Sequence, residues 1–274
     1  MRTLGSVRGP RHEPSDEQDK AHVNSLVLVP SEVVNSQQGV LLGARARYAY
    51  DQHGVRDGQS IKVGVVGGPR GFGIVSQASP ERVVIELSLS SAHLPPVPIT
   101  LIVGVSRPQT IKKVIQAAVM FGVNALHFAR SELGEKSYLQ SRSLDRDQME
   151  EESLKALEQV WDSRTPEISI HRSFDYLIDH VVPTIAEGSS EQVIRLLAHP
   201  TGMPLRVGDA KEIKGAHTLV AIGPERGWSV GEVTRFSEIG FKATSLGERV
   251  VRVEHALVFM LGKLALLRDD EERC

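Results

Sequence analysis

Cysteine is almost missing from this 274-residue chain, and the one present, Cys274, is the last residue. That rules out an intramolecular disulfide and a cysteine-based zinc site, and it suits a reducing compartment. No stretch approaches the about 20 consecutive apolar residues that span a bilayer. Neither sign of charge dominates: 32 Lys and Arg stand against 34 Asp and Glu, a net charge of −2. The chain as a whole is therefore not a general polyanion binder, although a local basic face is compatible with that balance. Residues 1–21 lack an apolar pattern, are rich in Pro, Asp and Glu, and read as a disordered tail. Glu13, Asp16, Glu17 and Asp19 argue against an organelle transit peptide, which avoids acids. The expected location is the cytoplasm, with an organelle left open for a eukaryotic source. Neither a membrane nor a metal is expected as a partner.

Apolar residues make up 41% and charged residues 24%, enough for a sizeable core in one or two domains. Residues 22–92 show short runs of strand character, such as SLVLVP, SIKVGVVGG, GFGIVS and RVVIELSL, separated by turn residues. Residues 44–52 read as a short helix carrying Arg45 and Arg47. Together these suggest a small β-barrel. A stiff connector follows at 93–98, with Pro95, Pro96 and Pro98, and the domain boundary is expected there. From 99 to 270 the period changes. Apolar strand runs at 99–105, 123–129, 167–171, 193–198, 218–222 and 241–246 alternate with helical spacing at 111–121, 148–160, 174–185, 229–240 and from about 253. Ser229 and Glu232 form a capping box at the start of one helix, and Gly240 is placed to end it. The fold class is α/β, a mostly parallel sheet covered on both faces. The final helix is apolar nearly all round. Val253, Ala256, Leu257, Met260, Leu261, Leu264 and Leu267 share one stripe, with Val258 and Phe259 off it, so either the chain or a second copy should cover it.

Three strand ends carry the distinctive residues: 198–202 (AHPTG), 223–228 (GPERGW) and 246–252 (LGERVVR). None is a Walker loop or a G-x-G-x-x-G fingerprint. Ordinary turns between strand and helix explain the pattern as well as a ligand site does. Read as a site, the loops offer main-chain N–H and C=O groups that glycines allow a flat purine to approach. Ligands of parallel sheets bind at this edge.

At this point the residues resemble a family. GPERG followed by a capped helix, and then SLGERVVRVEHA, is similar to the GPEGG loop and SLG-x-R-I-L-R-x-E-T-A segment of the RsmE family of SPOUT methyltransferases. LLAHP, RPQTIKKVIQAAVMFGV, EKSYLQS, ALEQVWDSRTPEI, NSLVLVP and DGQSIKVGVVGGPRGFGIV extend the likeness, in order, over residues 23–267. The resemblance implies a PUA-like barrel followed by a SPOUT domain tied in a deep trefoil knot. It also implies a homodimer that uses S-adenosylmethionine to methylate N3 of a uridine in small-subunit ribosomal RNA, free or assembled. On this reading Ala198, His199 and Pro200 line one side of the adenosyl pocket. Gly223, Pro224, Glu225 and Gly227 form the central loop, and Leu246, Gly247, Val250 and Val251 bond the adenine by main chain. Arg252 becomes the first choice for a catalytic or substrate-orienting residue, with Glu254 two positions on. The chain departs from the pattern at Arg226, which replaces a glycine, at His255, which replaces a threonine, and at Met120, which replaces a glutamate.

Methyl transfer from a sulfonium is an in-line displacement and mainly a positioning task. Uracil N3 must also lose its proton, and an arginine against O2 or O4 would stabilise the developing anion. The bland alternative for Arg252 is a helix-start residue paired with Glu248 or Glu254. For Glu225 it is an acid favourable to a helix dipole. Arg45, Arg47, Arg56, Arg70, Lys112, Lys113, Lys136, Arg142 and Arg226 are the candidate RNA contacts, each with a solvated surface charge as its alternative. Tyr138 and Trp228 are candidates for base stacking or for the core. Two other functions compete: a catalytically weak RNA-binding or ribosome-assembly protein that keeps the fold, and a SPOUT methyltransferase acting on another RNA.

Overall fold

The computed structural model describes residues 25–188 and 192–268. The expected tail at 1–21 and Cys274 lie outside them. Two six-stranded sheets follow each other along the chain.

The first sheet contains β1 (Leu26–Leu28), β2 (Val33–Asn35), β3 (Gln38–Leu42), β4 (Ser60–Val65), β5 (Arg70–Ala78) and β6 (Arg82–Ser91), with α1 (Gly43–Asp51) between β3 and β4. Its order is β1-β4-β5-β6-β3-β2. The β1–β4 pair is parallel and the others are antiparallel. Strand β5 shows why these residues make a half-buried strand. Gly71, Gly73 and Val75 point inward, while Phe72, Ile74 and Ser76 alternate outward. Leu26, Leu28, Leu41, Val63, Val75, Val83 and Ile85 close the core with Ala46 and Ala49 of α1.

The second sheet contains β7 (Val97–Gly104), β8 (Val123–Ala129), β9 (Glu167–His171), β10 (Val193–Pro204), β11 (His217–Ile222) and β12 (Lys242–Ser245). Every pair in it is parallel, in the order β12-β10-β11-β7-β8-β9. In β7, Ile99, Leu101 and Val103 join the apolar faces of α2 (Pro108–Met120) and α8 (Val253–Arg268). Ile102 faces the other layer, formed by the segment Phe174–Glu187 and α7 (Val230–Glu238). That segment is α4 (Phe174–Tyr176), a π turn at Leu177–Val181 and α5 (Val182–Glu187). A short helix, α6 (Ala210–Ile213), precedes β11, and α3 (Arg146–Val160) packs on α2 through Val119, Ala156 and Leu157. Gly122, at φ +63°, ends α2, because a left-handed residue terminates a helix most easily without a Cβ. The expected capping box forms at α7: Ser229 Oγ accepts the Glu232 N–H at 3.2 Å, and Glu232 Oε2 accepts the Ser229 N–H at 2.7 Å.

The two sheets meet at the end of α3. The buried Glu158 side chain lies 3.3 Å from Arg45 Nη1, and its main-chain oxygen accepts the Ser25 N–H at 2.8 Å. Burial opposes the charge on Arg45, but Glu32 and Glu158 outweigh it and raise its pKa. Ser163 Oγ donates to the Gly68 carbonyl at 2.6 Å. In the second sheet, buried His127 faces His171 across 3.0 Å, and burial, together with its neighbour's charge, pushes the His127 pKa down to about 4.

Some elements differ from the sequence expectation. Strand β7 begins at Val97, inside the proline-rich connector, because extended backbone is what proline already favours. Strand β10 does not stop at Ala198. After a bulge it pairs again with β12, Met203 opposite Thr244 and Pro204 opposite Ser245. Glycine permits this crossing, since a Cβ on Gly202 would sit 2.3 Å from the Ala243 carbonyl carbon. Strand β2, with three residues at the sheet edge, is too short to leave a periodic signal.

Candidate active site

Strands β10, β11 and β7 end side by side at the carboxyl edge, where chain order reverses between β11 and β7. The 223–228 loop is fixed there from three directions. Gly104 lies against it so closely that a Cβ would meet Pro224 Cδ at 2.3 Å. Glu225 Oε1 accepts the Arg107 N–H at 3.0 Å and the Thr110 hydroxyl at 3.3 Å, which seats it on the first turn of α2, where a carboxylate favours the helix dipole. Glu232 reaches past its own helix start to accept the Ser131 hydroxyl at 3.1 Å and the Glu132 N–H at 2.8 Å. Inside the loop the Gly227 N–H closes a turn on the Pro224 carbonyl at 2.8 Å, with Gly227 at φ +74°. Arg226 needs no glycine backbone, because Trp161 is the only non-glycine with positive φ among the described residues.

The 246–252 loop lies opposite. It turns at Gly247, whose φ is +118°, and Val250 is 95% exposed. Between the loops is a cleft of about 640 Å³. It brings together Ala198, His199, Pro200, Gly223, Pro224, Glu225, Arg226, Gly227, Leu246, Gly247, Val250, Val251, Arg252 and Glu254, every residue the sequence nominated for cofactor or chemistry. Ile222, Val253 and Ala256 add apolar wall. Arg107, Gln109, Thr110 and Arg249 also line the cleft and were missed from the sequence. The end of the loop after β7 and the first turn of α2 supply the first three, and their signal was Pro108 opening a helix just beyond a buried strand.

Arg252 is exposed, and its side chain has no hydrogen bond or ion pair among the described residues, so it pairs with neither Glu248 nor Glu254. The nearly buried Glu254 is held instead by Lys113 Nζ at 3.1 Å. Burial works against its charge, but its own N–H, Lys113 and His255 together hold its carboxyl below the usual carboxylate range. His199 Nδ1 lies 2.8 Å from the Thr201 hydroxyl. Trp228 is packed in the core between Phe174 and Phe236, and Tyr138 is partly buried against the other layer.

The remaining candidate RNA contacts lie outside the cleft, apart from Lys113. Arg45 is committed to Glu32, Glu158 and the Val27 carbonyl. Arg56 bonds the Tyr50 carbonyl at 2.7 Å, Arg70 bonds the Trp161 and Ala92 carbonyls, and Lys112 pairs with Glu152 at 3.1 Å. Arg47, Lys136 and Arg142 are exposed, with no side-chain partner among the described residues.

Residues 93–265 match the family model described as the RNA methyltransferase domain. The chain is 27% identical over 202 residues to the ribosomal RNA small subunit methyltransferase E of Treponema pallidum, covering 73% of this chain and 74% of that protein. Two solved structures share its fold. One is a methyltransferase of Legionella pneumophila in complex with SAM, at TM-score 0.70 and 19% identity, covering 90% of this chain and 99% of that one. The other is the ribosomal RNA small subunit methyltransferase E of Neisseria gonorrhoeae bound to S-adenosyl methionine, at TM-score 0.68 and 21% identity, covering 89% and 98%. With the family model spanning most of the chain, and the fold continuing through both sheets, the chain belongs to the RsmE family of RNA methyltransferases.

Proposed function

We propose that the chain transfers a methyl group from S-adenosylmethionine to N3 of a uridine in small-subunit ribosomal RNA, free or within an assembled subunit. The observation that carries this reading is the convergence of the 198–202, 223–228 and 246–252 loops on one cleft beside an unpaired Arg252. The residues fit the cofactor. The cleft is within the about 300–1,000 Å³ usual for small-molecule sites, and it joins an apolar wall of Ile222, Leu246 and Val253 to glycine-rich main chain. Such a surface suits a purine ring and the methionine chain of the cofactor.

The bound cofactor supplies an electrophilic methyl group on a sulfonium. The chain's own work is to place the uracil in line with it and to accept charge as N3 loses its proton. Arg252 is the group for the charge, since its guanidinium is not spent on a neighbouring acid. Glu254 remains ionised and holds Lys113, and it acts as a positioning residue that ties the start of α8 to α2. Arg226 and Arg249, both lining the cleft, bind the phosphates that flank the target nucleotide.

Two further features belong to the same reading. The far end of β10 crosses close over β12 at Gly202, which supports a trefoil knot formed by the two ligand loops, behind a PUA-like barrel in residues 22–92. On α8, Val258, Phe259 and Leu266 are 45%, 47% and 72% exposed, an apolar stripe suited to a second copy of the chain. Calorimetric titration with S-adenosylmethionine tests the cofactor half of the reading. Micromolar binding by the wild type is expected; its absence would contradict the reading, and binding restored by Arg226→Gly would lay the loss on Arg226.

A further inference from the structure

The outer face of the first sheet carries an aromatic site remote in sequence from every cleft residue. Phe72 projects from β5 and is 51% exposed, with Ile74 beside it at 55%. The sequence frames Phe72 with two glycines for a reason on the opposite face. A Cβ at Gly71 would clash with the Ser88 backbone, and one at Gly73 would lie 2.5 Å from Ile85 Cγ2. Those glycines let β6 lie close, while Phe72 adds nothing to the core. Opposite Phe72 in the ladder stand Lys62 on β4 and Ser88 on β6. Trp161, just beyond α3, leans on Phe72 with ring centroids 5.7 Å apart. Lys62 Nζ lies 4.9 Å, and Arg70 Cζ 5.1 Å, from the Trp161 ring centroid.

The backbone is organised for this arrangement. Trp161 has φ +48°, a left-handed conformation that strains a bulky side chain. Arg70 holds it there by donating to the Trp161 carbonyl at 2.9 Å and the Ala92 carbonyl at 3.1 Å. Strand β5 and the end of α3 therefore both contribute to one aromatic face with two cations at its edge. The acid on this side, Glu86, lies opposite Ile74, one step further along the ladder.

We propose that Phe72, walled by Trp161 and flanked by Lys62 and Arg70, is a stacking site for an unpaired base of single-stranded RNA, with Lys62 on the adjoining phosphate. A flat apolar ring beside positive charge matches the base and phosphate of a nucleotide. The inference rests on the reading of the chain as an RNA-modifying enzyme. It assigns the first sheet the task of gripping unpaired nucleotides away from the reacting base.

The test is fluorescence anisotropy of a labelled short oligouridine with the full-length wild type, Phe72→Ala, Phe72→Trp and Lys62→Ala, beside calorimetric titration of each with S-adenosylmethionine. Phe72→Ala should weaken oligouridine binding about tenfold. Phe72→Trp should bind like the wild type, and Lys62→Ala should bind more weakly with a shallower salt dependence. Cofactor affinity should be the same in all four. Equal oligouridine affinity in wild type and Phe72→Ala, or no binding by the wild type, overturns the proposal while the cofactor titration still judges the cleft. A change of oligomeric state in Phe72→Ala by light scattering also overturns it, because the face would then be a protein contact. A wild type that binds oligouridine through Phe72 but does not bind cofactor leaves this site standing and removes the methyl-transfer reading.

Discussion

Arg226 stands where the family places a glycine, and two features decide what that does. Its backbone is not left-handed, and its side chain is exposed at the cleft mouth. The substitution therefore leaves the turn intact and adds an exposed cation to the lining of the cleft, available to RNA on the proposed function. Arg226→Ala should lower the slope of log K for RNA against log salt by about 0.7–0.9, the release of one counterion, with cofactor affinity unchanged. Binding isotherms at several salt concentrations check this. At this scale the sequence was partly legible. Motif spacing picked out residues that meet in one cleft although they are scattered from 198 to 254. It could not tell a charge in use from a charge already committed. Arg45 and Arg70 look like any basic surface residue in the sequence, yet both guanidiniums bond protein oxygens. Two of their partners, Glu158 and Trp161, lie far along the chain, and no local pattern records them.

Among the elements, the strand ends carry the site and the helices brace it. Gly104→Ala places a methyl group against Pro224, a backbone neighbour that cannot swing away. It should cost about 1–3 kcal/mol of stability and, by displacing the 223–228 loop, lower cofactor affinity at least about tenfold. Denaturant melts and calorimetry measure the two effects separately. Strands β8 and β9 carry the His127–His171 pair. With His127 pushed from 6.5 down to about 4, the unfolded chain takes up a proton that the folded chain refuses. Stability should accordingly be full above pH 6.5 and fall as pH drops toward 4, by about 3 kcal/mol at most. His127→Gln should flatten thermal melts across that window, and equal pH sensitivity in the variant would sink the assignment. Strong periodicity located β8, β9, α7 and α8 within a residue or two. The continuation of β10 past Ala198 was not legible, because it depends on a backbone contact between Gly202 and Ala243 rather than on any apolar pattern.

For the whole molecule, the sequence announced a change of period near the prolines, and the structure has an antiparallel-rich sheet followed by an all-parallel one. What it could not announce is their attachment through Glu158, Ser163 and Trp161 at the end of α3. The nearly all-round apolar α8 resolves into a buried stripe, from Val253 to Leu267, and an exposed one at Val258, Phe259 and Leu266. If a second copy covers the exposed stripe, Phe259→Asp combined with Leu266→Lys should yield a monomer by light scattering, with cofactor binding weakened because α8 begins at the cleft. On the proposed function this cleft methylates N3 of a ribosomal uridine. The most direct measurement incubates wild type and Arg252→Ala with methyl-labelled S-adenosylmethionine and small subunits from a strain lacking the enzyme, then identifies the labelled nucleoside after complete digestion. The account predicts label in 3-methyluridine alone, formed about 10²–10³ times more slowly by Arg252→Ala. Label in another nucleoside, none at all, or an Arg252→Ala rate equal to the wild type would contradict it.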